Sequence, residues 1–372
     1  LWLAPVHFEK VRDMKKQWKV GLVGLSRGRG FVDVFSAHPA VEVSALCDSA
    51  PARLSEVGKA FHLPDQRLYA DYDSFLNAPM DIVLIATPIA FHAEQTIQAL
   101  LSGRHVLCEQ TAAYTVADCA RIVETVRKTG LAYMMAENYC YFHYVREWQK
   151  IVAEGKLGKI YYAEGEYIHE IIDRLVDEKT GQFHWRHNRP PIWYCAHTLG
   201  PILMLMNDRV VRGCGLTTGF NKMPEYREHP GFLDFETGLF QTEKGAVVKI
   251  LRSQVAARPH MVWYSLYGTA GHLENQRDRG EGLYFSLKED PPNRARAIPC
   301  EVSDPNAPAE ARQGGHGTSE YYMIRDFLGA IERNARPPID VIRSMDFTVP
   351  GIIAHESAMR GGAWMDVPQF NW

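Results

Sequence analysis

Two short patterns in the second half of the chain bring together the side chains best suited to moving protons near neutral pH: Tyr167-Ile168-His169 and Tyr194-Cys195-Ala196-His197. A neutral imidazole titrates at about pH 6.5 and a phenol can be tuned downward by its neighbours, so such a set can take a proton and return it. Tyr167 and His169 stand two apart on a predicted strand and therefore face one way. Tyr194 and His197 stand three apart and share a face if a helix begins at Ala196. Each residue also has a plainer alternative, a packed tyrosine with its hydroxyl at the rim or a hydrogen-bonded core histidine. Glu137 closes a predicted strand, where it can border the reacting centre or cap the next helix. Trp193, and His316 within Gly314-Gly315-His316-Gly317, are candidates for touching a substrate. His169, His184 and His187 lack ligand spacing, so no metal is expected.

A second signal lies near the start, where a strand-like run enters Gly24-Leu25-Ser26-Arg27-Gly28-Arg29-Gly30. A dinucleotide turn asks for a tight bend, close backbone approach to a pyrophosphate, and a helix N-terminus that favours the anion. Gly24 is in register for the bend, Ser26 is small enough for the approach, and Gly28 and Gly30 flank the third position, with Arg27 inside the turn. Asp48 ends the second strand at a distance suited to a carboxylate that accepts both ribose hydroxyls, which prefers NAD over NADP. The alternative is an ordinary strand-to-helix turn and a capping Asp. Ligands in such sheets lie beyond the carboxyl ends of the strands, so Thr87, Pro88 and His92 after one strand, Glu109 and Gln110 after the next, and Asn138 after Glu137 are expected to border the cofactor.

Positioning these groups falls to two kinds of architecture. Strands at 19–25, 41–47, 82–86, 105–108 and 132–135 alternate with helical patterns, which predicts an α/β domain over 18–138 with a doubly wound parallel sheet. The helix after Gly24 is read as starting in 31–36. Beyond Tyr144 come β-rich stretches at 160–169, 210–219, 233–242, 246–255, 261–267 and 272–274, then helices at 319–333 and 345–359. These predict a second, α+β domain over 139–372 with a large open, mostly antiparallel sheet for substrate binding and self-association. The segment 289–313, rich in Pro, Ala and charge, reads as a surface loop.

The 372 residues, 46% hydrophobic and 23% charged, exclude disordered and collagen-like classes. A net charge of −3 offers no basic footprint for nucleic acid. Seven cysteines, an odd number without a CxxC pair, point to free thiols in a reducing, cytoplasmic setting. No apolar run approaches the roughly 20 residues of a membrane span. Residue 1 is Leu, which leaves room for a removed leader.

Residues 81–88, the helix opened by His92, Gly103-Arg104-His105-Val106-Leu107-Cys108-Glu109 and the β-rich second half together resemble the family of glucose-fructose oxidoreductase, inositol dehydrogenase and the rhizopine-catabolism proteins (Gfo/Idh/MocA). The resemblance implies a Rossmann domain followed by an open-sheet domain that holds a sugar or polyol against the nicotinamide of NAD. Dehydrogenases of that family carry Glu-Lys-Pro after the fourth strand and Asp-x-x-x-His in the second domain. Here Gln110 and Thr111 replace the Lys and Pro, and Trp193 stands where the Asp would be. Tyr133-Met134-Met135-Ala136-Glu137-Asn138, Glu166-Tyr167-Ile168-His169 and Tyr194-Cys195-Ala196-His197-Thr198-Leu199-Gly200-Pro201 are similar to the NAD-dependent glycosidases of glycoside hydrolase family 109. That narrower resemblance puts catalytic roles on Glu137, Tyr167, His169, Tyr194 and His197, and implies hydrolysis by transient oxidation of sugar carbon 3. A sugar or polyol dehydrogenase releasing NADH, and a non-catalytic NAD-binding sensor, are the alternatives.

Overall fold

The computed structural model describes residues 17–171, 175, 183–221, 233–255, 260–277, 280–292 and 294–372; Leu1 lies outside them. Two compact units emerge, one made of residues 1–109, 121–136 and 303–341, the other of residues 110–120, 137–302 and 342–372. A single boundary near residue 138 therefore does not describe this partition, because 303–341 returns to the first unit.

The first unit carries β1 (Trp18–Val23), β2 (Val41–Cys47), β3 (Leu68–Tyr69), β4 (Ile82–Ile85), β5 (His105–Glu109) and β6 (Tyr133–Ala136), ordered β3-β2-β1-β4-β5-β6 and parallel throughout. This is the strand order of a dinucleotide-binding sheet, reversing beside β1. Ile82, Val83, Leu84 and Ile85 are all fully buried, as a central strand covered on both faces requires. Helices α1 (Leu25–Ala37), α2 (Pro51–Ala60), α3 (Tyr72–Leu76), α4 (His92–Leu101) and α5 (Val116–Thr129) alternate with the strands along the chain. Helix α1 starts directly after Gly24, six residues earlier than the apolar pattern suggests, and so takes in the glycine-rich stretch. A Cβ on Gly28 would meet the Ala86 Cβ at 3.6 Å, an ordinary contact, so within this stretch the steric demand for glycine falls on Gly24.

The second unit is built on a sheet of β7 (Ile160–Ile168), β8 (Val210–Thr217), β9 (Phe235–Thr242), β10 (Val247–Ser253), β11 (Met261–Gly268), β12 (Gly271–Asn275), β13 (Gly280–Ser286), β14 (Arg296–Cys300) and β15 (Met365–Asp366). The order is β14-β13-β12-β11-β7-β10-β9-β8-β15, antiparallel except where β7 runs parallel to β10. Strand β14 lies inside the stretch read as a loop. It is an edge strand, where Pro299 withholds an N–H that no neighbour needs, and the same proline is what hides it in the sequence. Helices α6 (His143–Ala153) and α7 (Ala196–Met206) belong to this unit, α8 (Ser319–Glu332) to the first, and α9 (Val341–Ala358) almost wholly to the second. Helix α7 covers one face of β7 so closely that a Cβ on Gly165 would meet Thr198 and Ile202 at 3.0–3.1 Å. All seven cysteines are free. Among the described residues no helix is long and apolar enough to cross a membrane, and no group of three or more His, Cys, Asp or Glu could hold a metal ion.

Candidate active site

In the second unit the imidazole of His197 is the centre of a buried cluster. Its Nδ1 stands 2.7 Å from Glu137 Oε1 and its Nε2 3.2 Å from Gln110 Nε2. An amide nitrogen only donates, so Nε2 is the acceptor and Nδ1–H donates to Glu137, the neutral tautomer with a basic nitrogen directed at Gln110. Glu137 is fully buried, and the same Oε1 also accepts the Tyr139 N–H at 3.1 Å. Gly200 makes room for this carboxylate, since a Cβ there would lie 3.2 Å from Glu137 Cγ.

Backbone chemistry in α7 fixes His197 from the other side. Pro201 sits four residues on and has no N–H, so the His197 carbonyl loses its helical partner and accepts the buried Tyr264 hydroxyl instead. Around the ring, Tyr139 stacks at 3.8 Å between centroids and 11° between planes. Tyr167 and Tyr194 present edges at 5.3 and 5.0 Å. The Tyr139 hydroxyl lies 3.5 Å from that of Tyr167. His169 stacks on Tyr167 at 5.6 Å, and its Nδ1 is 2.5 Å from Nδ1 of His260. Burial pushes both the Tyr139 and Tyr167 phenols up from their ordinary value; at Tyr167 the Arg252 charge acts against it.

The turn that carries Tyr194 is held by its own pairs. Glu236, buried, accepts the Ile192 N–H at 2.9 Å and pairs with His355 Nδ1 at 2.7 Å, while Thr111 Oγ1 donates to the Trp193 carbonyl at 2.9 Å. Trp193 itself packs on Tyr114 and edge-on to His355.

The five residues proposed from sequence for catalysis thus gather in one unit, joined by Gln110, which was expected beside the cofactor. Tyr139, His260 and Tyr264 were not foreseen. Tyr139 follows Glu137 by two in a turn, the one local hint available; Tyr264 lies in a strand read only as sheet, and His260 directly precedes that strand.

In the first unit, Gly24 adopts φ +87°, and a Cβ there would stand 2.6 Å from the Ala86 carbonyl and the Thr87 nitrogen. Only glycine fits this bend. Asp48, buried, accepts the N–H of Leu25 and of Ala50, each at 2.8 Å, and pairs with the half-exposed Arg53. Thr87 donates to Gln95 at 2.6 Å, and His92 bonds the Thr87 carbonyl at 2.8 Å, bracing the loop that Pro88 enters. Arg27 joins Glu109 (2.7 Å) to Glu320 (3.3 Å), and Glu320 also holds His316 Nδ1 at 2.7 Å. His316 is therefore a first-unit residue. Asn138 is buried in the turn after Glu137, in the second unit.

These residues fit a dinucleotide. The glycine cradle would be filled by any side chain, the first turn of α1 carries Ser26 and Arg27, and Asp48 is set beside that turn by the Leu25 N–H, with the half-exposed Arg53 as the partner a ribose diol would replace.

Comparison with known proteins agrees. Residues 18–137 match the model of the oxidoreductase family with NAD-binding Rossmann fold, and residues 224–372 match the glycosyl hydrolase 109 C-terminal domain. A glycosyl hydrolase family 109 protein 2 of Phocaeicola vulgatus is 30% identical over 289 residues, 69% of this chain and 70% of its own length. Another family 109 protein, from Saccharopolyspora erythraea, is 27% identical over 95% of this chain and 83% of its own. Among solved structures, a levoglucosan dehydrogenase in complex with NADH and L-sorbose superposes with a TM-score of 0.79 at 19% identity, covering 95% of this chain and all of that one. A myo-inositol 2-dehydrogenase from Lactobacillus plantarum gives 0.75 at 18%, covering 95% of this chain and all of that one. Fold and site thus define an NAD-dependent enzyme of the oxidoreductase family with a Rossmann fold. Within it, the chain belongs to glycosyl hydrolase family 109.

Proposed function

We propose that this enzyme cleaves glycosides by a transient oxidation at sugar carbon 3, using the second-unit cluster for every proton transfer. The observation that supports it most is the Glu137–His197–Gln110 line, where a buried carboxylate fixes the imidazole as a neutral base and Gln110 stands in place of the lysine of the dehydrogenases. Bound NAD would supply the hydride acceptor and later the hydride donor at carbon 3, so that no net oxidation results. Tyr167 takes the proton of the carbon 3 hydroxyl and returns it at the end. With carbon 3 as a ketone, the carbon 2 proton is acidified, and His197 Nε2 accepts it while Glu137 stabilises the imidazolium. Tyr194 and the His169–His260 pair pass protons to the leaving oxygen and from the water that adds in its place. Glycosidic naming of the relatives favours this course over a dehydrogenase.

Absorbance at 340 nm and release from a chromogenic glycoside, measured on the same purified protein across a sugar panel, test the reading. Bond cleavage without accumulated NADH is expected. Net NADH release would make the enzyme a dehydrogenase, and silence in both channels a sensor. A crystal soaked with NAD and a sugar tests its geometric demand, that the side chains around the nicotinamide's reactive carbon be those of the cluster. Self-association is proposed through the sheet face opposite Tyr167, where Leu216, Leu239, Val247 and Tyr267 are exposed; a monomeric mass in solution would refute it.

A further inference from the structure

Two arginines of the second unit are buried without an acidic partner. Arg252 is 0% exposed and Arg189 3%. Among the described residues neither forms an ion pair, and the Nε of each has no hydrogen-bond partner. Their donors meet neutral oxygens: Arg252 Nη1 the carbonyls of Tyr167 (3.0 Å) and Ser253, Arg189 Nη2 the Gln254 amide oxygen (2.6 Å). Their planes lie on phenol rings, Arg252 Cζ 4.0 Å from the Tyr167 centroid and Arg189 Cζ 3.9 Å from that of Tyr194. Register makes the first contact obligatory, since β10 runs parallel to β7 and pairs Arg252 with Tyr167 on one face of the sheet. A buried cation without a counter-charge is unfavourable, and a ring face offsets only part of that.

We propose that Arg252, backed by Arg189, is a positioning residue: stacked on Tyr167 and lacking a carboxylate, it favours departure of the phenolic proton and so makes Tyr167 the base that receives the sugar hydroxyl's proton. This rests on the reading of the cluster as glycoside-active. The proton balance is simple. The resting phenol gives its proton to solvent, the phenolate takes the hydroxyl proton, and that proton returns when the hydroxyl is re-formed. Other groups around Tyr167 are consistent in sign. The Tyr139 hydroxyl can donate to the phenolate, and His169 and His260, when protonated, add positive charge. A protonated His197 is offset by Glu137 behind it, and Tyr194 opposes only if it ionises first. Burial pushes Arg252 down to about 10, as expected of a cation short of counter-charge.

The test is a 19F NMR titration of the NAD-loaded protein carrying 3-fluorotyrosine, whose lowered phenol range is accessible, with Tyr167→Phe assigning the resonance. Arg252→Gln is expected to raise the Tyr167 midpoint by about one to three pH units, Arg252→Lys by less, and Arg189→Gln by a smaller step. Should circular dichroism show Arg252→Gln unfolded, Arg189→Gln is read the same way. A midpoint unmoved in the folded neutral variant overturns the proposal. Turnover of the same proteins keeps the two readings apart: a moved midpoint without cleavage of any glycoside sinks the proposed function and leaves the tuning intact, whereas cleavage with an unmoved midpoint does the reverse.

Discussion

Charge is handled in opposite ways in the two units. At the glycine turn Arg27 is matched by Glu109 and Glu320, and Asp48 by Arg53 and two backbone donors. In the second unit Arg189 and Arg252 are buried with no ion-pair partner among the described residues, although one residue away on β7 the opposite face pairs Glu166 with Arg277 in bidentate fashion. The difference teaches where each unit places its selectivity. A pyrophosphate can be received by backbone N–H groups and a helix end, so side-chain charges there serve as scaffold. Proton chemistry needs an electrostatic bias held in the protein, and an uncompensated cation supplies one.

The sharpest way to break this contrast is at the cluster. His197→Ala and Tyr167→Phe are each expected to lower turnover at least about a hundredfold while circular dichroism stays unchanged. Near-normal rates would separate the unmatched charge from catalysis. Next in size, Gly24→Ala forces a side chain into a positive-φ bend against the Ala86 carbonyl. NAD affinity, followed by nucleotide retained through gel filtration and by titration, should fall by about tenfold or more, with more than about 1 kcal/mol lost in stability. Retained affinity would show that the turn does not receive the dinucleotide.

A pH experiment sharpens the first-unit side. Burial alone would raise the Glu320 carboxyl, but the hydrogen bond and charge of His316, with Arg27, outweigh it and hold it at about 2 against an ordinary 4.5. A folded-state value below the unfolded one stabilises above the unfolded value and is lost as pH falls. The protein should therefore lose stability between about pH 4.5 and 2, and Glu320→Gln should melt lower at neutral pH with a flatter acid limb. Parallel acid limbs would show the buried carboxylate to be unlinked to folding. The smallest change is expected from Arg53→Ala, whose half-exposed pair with Asp48 is worth under about 1 kcal/mol by chemical denaturation, with NAD affinity undiminished.

Much of the first unit was legible because its signals are local. The run from β1 through Gly24 to Asp48 follows from period, turn chemistry and one interval, and the family match and strand order agree with it. In the cluster, Tyr167 with His169 and Tyr194 with His197 were readable as pairs, since strand and helix spacing each fix a face. What escaped is what other segments bring. Gln110 follows β5 yet bonds His197, 87 residues on, and Arg252 meets Tyr167 only through strand register. Neither pairing leaves a trace in composition or periodicity. Strand β14 was lost for the opposite reason, because a local composition rich in Pro, Ala and charge reads as a loop although a sheet edge tolerates it.

Pro201 carries a lesson for anyone engineering this chain. Stability screens that reward regular helices would replace it early, restoring the missing amide and closing the backbone onto residue 197. Tyr264 would then be left with a stranded hydroxyl, and the imidazole would lose its second anchor. A hotter-melting variant obtained this way should be a poorer catalyst, because an irregularity in the main chain is what keeps the side chain in register.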